Sequence, residues 1–290
     1  MKRFIPWWAK IIIKITLSRI PLNYGFFAKL GVFRHGQMDN AEYALHVFRR
    51  HFDRAQFPRK EGGFVALELG PGDSLVSAII ANAYNASRCY MVDAGNYAVD
   101  DVASYRHLIE NLRSEGIAVD KADRCVSTEE LLEQIGGVYL TDGLQSLRSI
   151  PSNSVDFIWS QAVLEHLRLS EFDEILHELL RILRSDGIAS HRIDLKDHLG
   201  DALHNLRFST KVWESDWMAQ SGFYTNRIRY PDMLARFEDA GFDMDVTQVD
   251  RWDHLPVPRE KISPEFFGFS DGELCVSGFD VLLCKKSTAQ

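Results

Sequence analysis

Two hydrophobic periods share this chain. Short, largely apolar runs cover Phe64–Leu69, Cys89–Val92, Val138–Thr141, Val155–Ser160 and Ile188–Leu195, the first three closed by Gly or Asp. Runs of this length with such punctuation predict buried strands. Between them, apolar residues recur every three or four positions and predict helices over Ser74–Tyr84, Asp100–Ser114, Thr128–Ile135 and Ser170–Arg184. Asp73 or Ser74, and Ser127 or Thr128, stand where N-caps are wanted, and Gly116 and Asp186-Gly187 where helices stop. Further on, the pattern predicts a helix over Pro231–Ala240 and strands over Phe242–Val249 and Phe279–Lys285. Ahead of the first strand, residues 40–57 read as a helix through Ala44, Leu45, Val47, Phe48 and Phe52, and a polar link from Pro58 to Gly63 follows. Strands separated by helices give right-handed β-α-β units and a mainly parallel sheet. Two stretches, near 196–229 and 251–275, keep neither period and are rich in aromatics, histidines and prolines; insertions of that length tend to carry function. The chain therefore divides into an N-terminal helical extension, 1–58, and an α/β domain, 59–290.

Charge changes the picture at the N-terminus. The 290 residues carry a net charge of −8, with 46% hydrophobic and 26% charged residues, which is ordinary globular usage and argues against nucleic acid as the main partner. Yet Lys2, Arg3, Lys10, Lys14, Arg19, Lys29 and Arg34 all precede the first acidic residue, Asp39. The rest of the chain holds 26 basic against 41 acidic residues. The apolar stretch Phe4–Leu17 is broken by Lys10 and Lys14, so it predicts neither a membrane span nor a secretory signal. Pro6 suits a first helical turn and Pro21 a helix end. Two readings of this helix stand: packing on the body, or peripheral membrane contact through residues 1–33, with Trp at the headgroups and Lys near anionic lipid. Cys89, Cys125, Cys275 and Cys284 form no C-x-x-C pair, and no Cys/His cluster has metal spacing. Scattered thiols of this kind suit a cytoplasmic protein, at most peripheral on the inner face of the membrane.

The first strand runs into Glu68-Leu69-Gly70-Pro71-Gly72-Asp73-Ser74. Glycines there let backbone approach a ligand at the carboxyl edge of a sheet, beside a helix N-terminus. Asp93 ends the second strand, 23 residues after Gly70, where a carboxylate accepts both hydroxyls of an adenosine ribose. A dinucleotide fingerprint wants a third glycine where Leu75 stands, and a P-loop wants Gly-Lys-Ser/Thr, which is missing.

Glu68-x-Gly70-x-Gly72 with Asp93 resembles the opening motifs of class I S-adenosylmethionine-dependent methyltransferases. Ile150–His166, which reads IPSNSVDFIWSQAVLEH, is similar to that family's fourth strand and its continuation, and Leu179–Gly187 to the helix and turn before its fifth. Val281–Lys285 is similar to its last, antiparallel strand. The resemblance spans roughly residues 40–290. It implies a Rossmann-like, doubly wound, seven-stranded, mainly parallel sheet with an antiparallel C-terminal strand. It implies S-adenosyl-L-methionine as cofactor, with Glu68, Gly70 and Gly72 at the methionine part, Asp93 on the ribose, Gly143 and Leu144 framing the adenine, and Ser160 and Gln161 lining the reaction centre. Ser74 departs from the pattern, standing where many members have a third glycine.

Methyl transfer to oxygen or nitrogen wants a base that titrates near the working pH. Ser190–His198 finishes the fifth strand and opens the first insertion, so Asp194 and His198, with His166 beyond the fourth strand, are the candidate catalytic residues. His191, Tyr224, Asn226 and Arg227 are candidate acceptor-binding residues, since aromatic, amide and guanidinium groups together suit a sugar or phosphate. These segments look like those of bacterial methyltransferases of glycan and polysaccharide biosynthesis, which implies a sugar or small-molecule hydroxyl as acceptor. No metal is expected to be resident, although Asp194, Asp197 and His198 leave a divalent ion conceivable. An NAD-dependent oxidoreductase and a catalytically inactive methyltransferase-like binding protein remain as alternatives.

Overall fold

The computed structural model describes residues 6–18, 38, 40–57, 62–119 and 125–286. Most of the basic residues before Asp39 and the link at 58–61 lie outside them. The sheet is built from β1 (Phe64–Leu69), β2 (Ala86–Val92), β3 (Gly137–Leu140), β4 (Val155–Gln161), β5 (Leu183–Asp194), β6 (Phe242–Arg251) and β7 (Val276–Lys285). Their order is β3-β2-β1-β4-β5-β7-β6. The first five run parallel, and β7 enters antiparallel between β5 and β6. This is the expected seven-stranded, Rossmann-like architecture. The chain order reverses between β1 and β4, so ligands of such a sheet bind outside the carboxyl ends of these strands.

Two apolar layers cover the sheet. On one face lie α2 (Ala41–Arg54), α3 (Val76–Ala83), α4 (Val102–Ser114) and α5 (Thr128–Ile135). On the other lie α6 (Leu144–Ser149), α7 (Phe172–Ile182) and α10 (Tyr230–Asp239). The helix α2 is more than an appendage: Phe48 and Phe52 are buried in one aromatic cluster with Phe57, Phe64, Tyr84, Phe157 and Trp159. Each ring so buried contributes about 1.5–3 kcal/mol. Asn40 caps the helix by accepting from the Tyr43 amide, and Arg50 and Arg54 pair with the buried carboxylate of Asp280 on β7 at 2.6 and 3.1 Å.

The largest boundary difference from the sequence reading lies at the start of β5. Asp186-Gly187 does not end a helix; α7 stops at Ile182 and β5 starts at Leu183. Leu183 turns extended (φ −61°, ψ 139°) and pairs with Val155 before an irregularity in the register. Its side chain is buried, which draws these residues into the sheet. The hydrophobic pattern does not predict the helix α6, because six residues are too few to show a period.

The two stretches without a period form a cap. The first carries α8 (Thr210–Trp213) and α9 (Asp216–Ala219), the second α11 (Asp271–Leu274). Leu203, Leu206, Val257, Ile262 and Phe266 bury one another across them. Arg229, wholly buried, donates to the carbonyls of Leu195, Leu274 and Val276 at 2.9, 3.1 and 2.7 Å and so ties the cap to β5 and β7. The N-terminal helix α1 (Trp7–Ser18) lays Trp7, Ile11 and Ile15 against Trp213, Met218 and Phe223 of this cap.

Candidate active site

At the ends of β1, β2 and β3 the backbone makes a cradle. Gly70 N donates to Val92 O (2.8 Å), Asp93 N to Leu140 O (2.9 Å) and Gly143 N to Asp93 O (2.9 Å). Gly70, Gly72 and Gly143 all have positive φ, at 73°, 66° and 50°, a region that glycine alone enters without strain. Gly70 has a further reason to lack a side chain: a Cβ there would lie 2.5 Å from Val163 Cγ2. The close approach at this glycine is thus made by the chain itself, through the turn after β4. At Gly143 a Cβ would meet only Ala94 Cα, at 3.7 Å.

Asp93 points into the bend. Its Oδ2 accepts from Gly72 N at 3.1 Å and its Oδ1 from Ala94 N at 2.7 Å. The loop that follows is latched onto the first turn, with Val99 N donating to Asp73 O, and with Tyr105 OH accepting from Leu75 N and donating to Val99 O. Glu68 lies beneath, buried, accepting from the Trp159 indole at 3.2 Å; burial pushes its pKa up to about 8. Leu144 begins α6 just past Gly143.

At the ends of β4 and β5 the residues differ in kind. Gln161 is half-buried, and its Oε1 accepts from His51 Nε2 at 3.0 Å. His51 comes from α2, and its Nδ1 then accepts from Ser190 Oγ at 2.8 Å. On the opposite face Ser160 Oγ lies 2.7 Å from His191 Nδ1, both wholly buried. Burial lowers the pKa of His51 to about 4 and of His191 to about 3, so both are neutral near pH 7. After Gln161 the chain kinks at Ala162 (φ 55°), which swings Val163 against Gly70.

Two candidate catalytic residues meet. His166 Nε2 and His198 Nε2 are 3.0 Å apart, their rings stacked 4.9 Å centroid to centroid. His166 Nδ1 is 2.9 Å from the Tyr224 carbonyl, which can only accept. His166 therefore carries its proton on Nδ1 and accepts at Nε2, and His198 donates from Nε2. That leaves the His198 Nδ1 lone pair to take a proton. Enclosure of the His198 ring against its neighbours lowers its pKa, and Lys14 of α1 lowers it further. Asp194 instead turns back on Lys196, accepting from its amide at 3.0 Å and lying 3.5 Å from its ammonium.

The candidate acceptor-binding residues are engaged within the wall of the mouth. Asn226 Nδ2 donates to Leu164 O at 2.8 Å, and its amide N to Glu165 O at 2.7 Å. Arg227 donates to Phe208 O at 2.6 Å and lies over the rings of Trp213 and Phe266. Tyr224 OH donates to Glu214 at 2.8 Å. Asp197 accepts from the amides of Leu199, Gly200 and His204 and folds the loop. No group of three metal-ligating side chains occurs among the described residues.

Sequence reasoning missed His51 and Glu165. His51 lies on the buried stripe of α2 and looks from the sequence like another core position. Glu165 is buried, accepts from Asp194 N at 3.2 Å, and has its pKa pushed up to about 8 by burial. No spacing announces it.

The cradle fits an adenosyl cofactor: an acceptor carboxylate at the bend and glycine turns on either side. Residues 67–190 match the family model of the methyltransferase domain. No protein of curated function matches the chain. Among solved structures, it is similar to an S-adenosylmethionine-dependent methyltransferase from Mesorhizobium loti (14% identity, 86% of this chain and 99% of that one, TM-score 0.42). It is also similar to the YcgJ protein from Bacillus subtilis (14%, 85% and 99%, 0.45). A third is the phosphoethanolamine N-methyltransferase 2 of Haemonchus contortus, solved with phosphomonomethylethanolamine and S-adenosylhomocysteine (14%, 83% and 52%, 0.43). Residues 67–190 are thus similar to a methyltransferase domain, whose cofactor is S-adenosyl-L-methionine.

Proposed function

We propose that the protein O-methylates a sugar or another small hydroxylated molecule, with His198 as the base. The observation that carries this is the His166–His198 pair at the mouth. Its hydrogen-bond chain, from the Tyr224 carbonyl through His166, fixes the tautomer that leaves His198 Nδ1 able to accept the hydroxyl proton. S-adenosylmethionine supplies an electrophilic methyl group on a sulfonium. The chain's own part is alignment and proton removal. Asp93 takes the ribose hydroxyls, and Gly70, Gly72, Gly143 and Leu144 shape the cradle. Glu68 stiffens it from below. His51 holds Gln161 by its Oε1, so the Gln161 amide NH2 is turned to donate at the reaction centre, above Ser160 and His191. Tyr224, Asn226 and Arg227 serve the acceptor by building the wall, and Asp194 steadies the loop that presents His198. The catalytic unit includes α2, since His51 belongs to it.

Transfer of a labelled methyl group to a panel of nucleotide-linked sugars, hydroxylated small molecules and amines tests the reading. Label on oxygen is expected, with kcat falling roughly 100-fold in His198→Gln while cofactor affinity holds. Label confined to nitrogen or carbon, or full activity in His198→Gln, overturns it.

A further inference from the structure

The helix α1 has two apolar faces and a partner for one. Trp7, Ile11 and Ile15 pack on the cap. Trp8, Ile12 and Ile13 are 54%, 59% and 44% exposed. A surface helix buries one apolar stripe and turns polar residues outward, and contiguous exposed apolar residues mark an interaction surface. The charge says of what kind. The helix carries Lys10 and Lys14 and no acidic residue. All seven basic residues before Asp39 share this end of a chain that is otherwise strongly acidic. An anionic surface therefore attracts this basic segment of the sequence. No helix among the described residues is long and apolar enough to cross a membrane.

We propose that the outer face of α1 docks on an anionic lipid bilayer, with Trp8 at headgroup level and Ile12 and Ile13 below it. An amphipathic helix gains from apolar burial and from attraction of its lysines to anionic lipid together. The same helix borders the mouth: Lys14 Nζ donates to Gly222 O at 3.4 Å, and the Trp7 ring lies 5.1 Å from that of His204, tilted by 34°. Docking so placed brings His198 beside the bilayer. On the methyl-transfer reading, the acceptor is then an amphiphile that presents its hydroxyl at the interface.

The test is co-sedimentation of the full chain with vesicles of phosphatidylcholine alone or mixed with phosphatidylglycerol, at low and high salt. Binding to the anionic vesicles is expected, weakening with salt. Trp8→Ser/Ile12→Ser/Ile13→Ser is expected to weaken partitioning roughly tenfold or more, with melting temperature and S-adenosylhomocysteine affinity unchanged. Val126→Ser, which removes an exposed valine elsewhere, leaves it unchanged. Wild-type protein that ignores anionic vesicles at low salt, or a triple variant that binds equally, overturns the proposal. So does a dimer that the triple variant converts to monomer without any vesicle binding, since a second copy would then cover the face. Vesicle binding without S-adenosylhomocysteine binding would sink the methyl-transfer reading and leave the docking standing.

Discussion

The two halves of the sheet's carboxyl edge are built in opposite ways. At β1, β2 and β3 the site is backbone, three glycines with positive φ and one carboxylate. At β4 and β5 the candidate site is side chains drawn from three separate parts of the chain, His51, Gln161 with His166, and His198, walled by residues 224–227. The first half can hold a constant group, because its geometry is carried mostly by backbone rather than by side chains. The second is assembled by tertiary packing and can be re-tuned one residue at a time. A constant cofactor and a variable acceptor need that division.

Substitutions can break each half in its own currency. The largest effect is expected at Gly70. Gly70→Ala meets both an αL penalty and Val163, and about 4 kcal/mol of stability is lost in denaturant melts. Adding Val163→Ala restores the overpacking share and leaves the backbone share; full recovery would show that the φ angle carries no cost. Next comes Asp93→Ala. It removes a charged acceptor from the cradle and is expected to weaken S-adenosylhomocysteine binding about 100-fold by calorimetry. An unchanged affinity would take the ribose role away from Asp93.

The buried histidines give the second half an acid signature. Because the folded pKa of His51, about 4, lies below the ordinary 6.5, the stability it contributes is whole above pH 6.5 and is lost as pH falls towards 4. His51 alone makes this loss roughly 2 kcal/mol by pH 5. His51→Gln should flatten that part of the stability–pH curve, and a curve of the same slope in the variant would contradict the burial of a neutral imidazole. The buried glutamates act in the other direction. The folded pKa of Glu165, about 8, lies above 4.5, so its contribution is present below pH 4.5 and declines as pH rises through 8. Glu165→Gln is expected to raise the melting temperature by a few degrees more at pH 8 than at pH 5; the reverse order would mean that the carboxylate is paired.

This division also decides what could be read beforehand. β1 and α5 fall on the predicted residues because their signals are local: an apolar run ahead of Gly70, and Ser127 followed by glutamates. Asp93 was found for the same reason, as one acid at a fixed spacing from one glycine. Tertiary contact decided the rest. Leu183 joined β5 because the sheet buries it, and Gly70 lacks a Cβ on account of Val163, far along the chain. The pairing of His166 with His198 was not visible, although each was a candidate alone. Nothing in α2 distinguished His51 from its apolar neighbours, since only the folded sheet sets Gln161 and Ser190 opposite it. Asn226 and Arg227 carry the right chemistry for a ligand, but backbone carbonyls of Leu164, after β4, and of Phe208, in the cap, take their donors.

The central claim, that the β1–β3 edge cradles an adenosyl sulfonium cofactor, is tested most directly by titrating the folded wild-type chain with S-adenosylhomocysteine in a calorimeter, with NAD as the parallel ligand. Saturable one-site heat with the first and none with the second is predicted. Heat with NAD alone, or none with either on protein that still melts cooperatively, would contradict it.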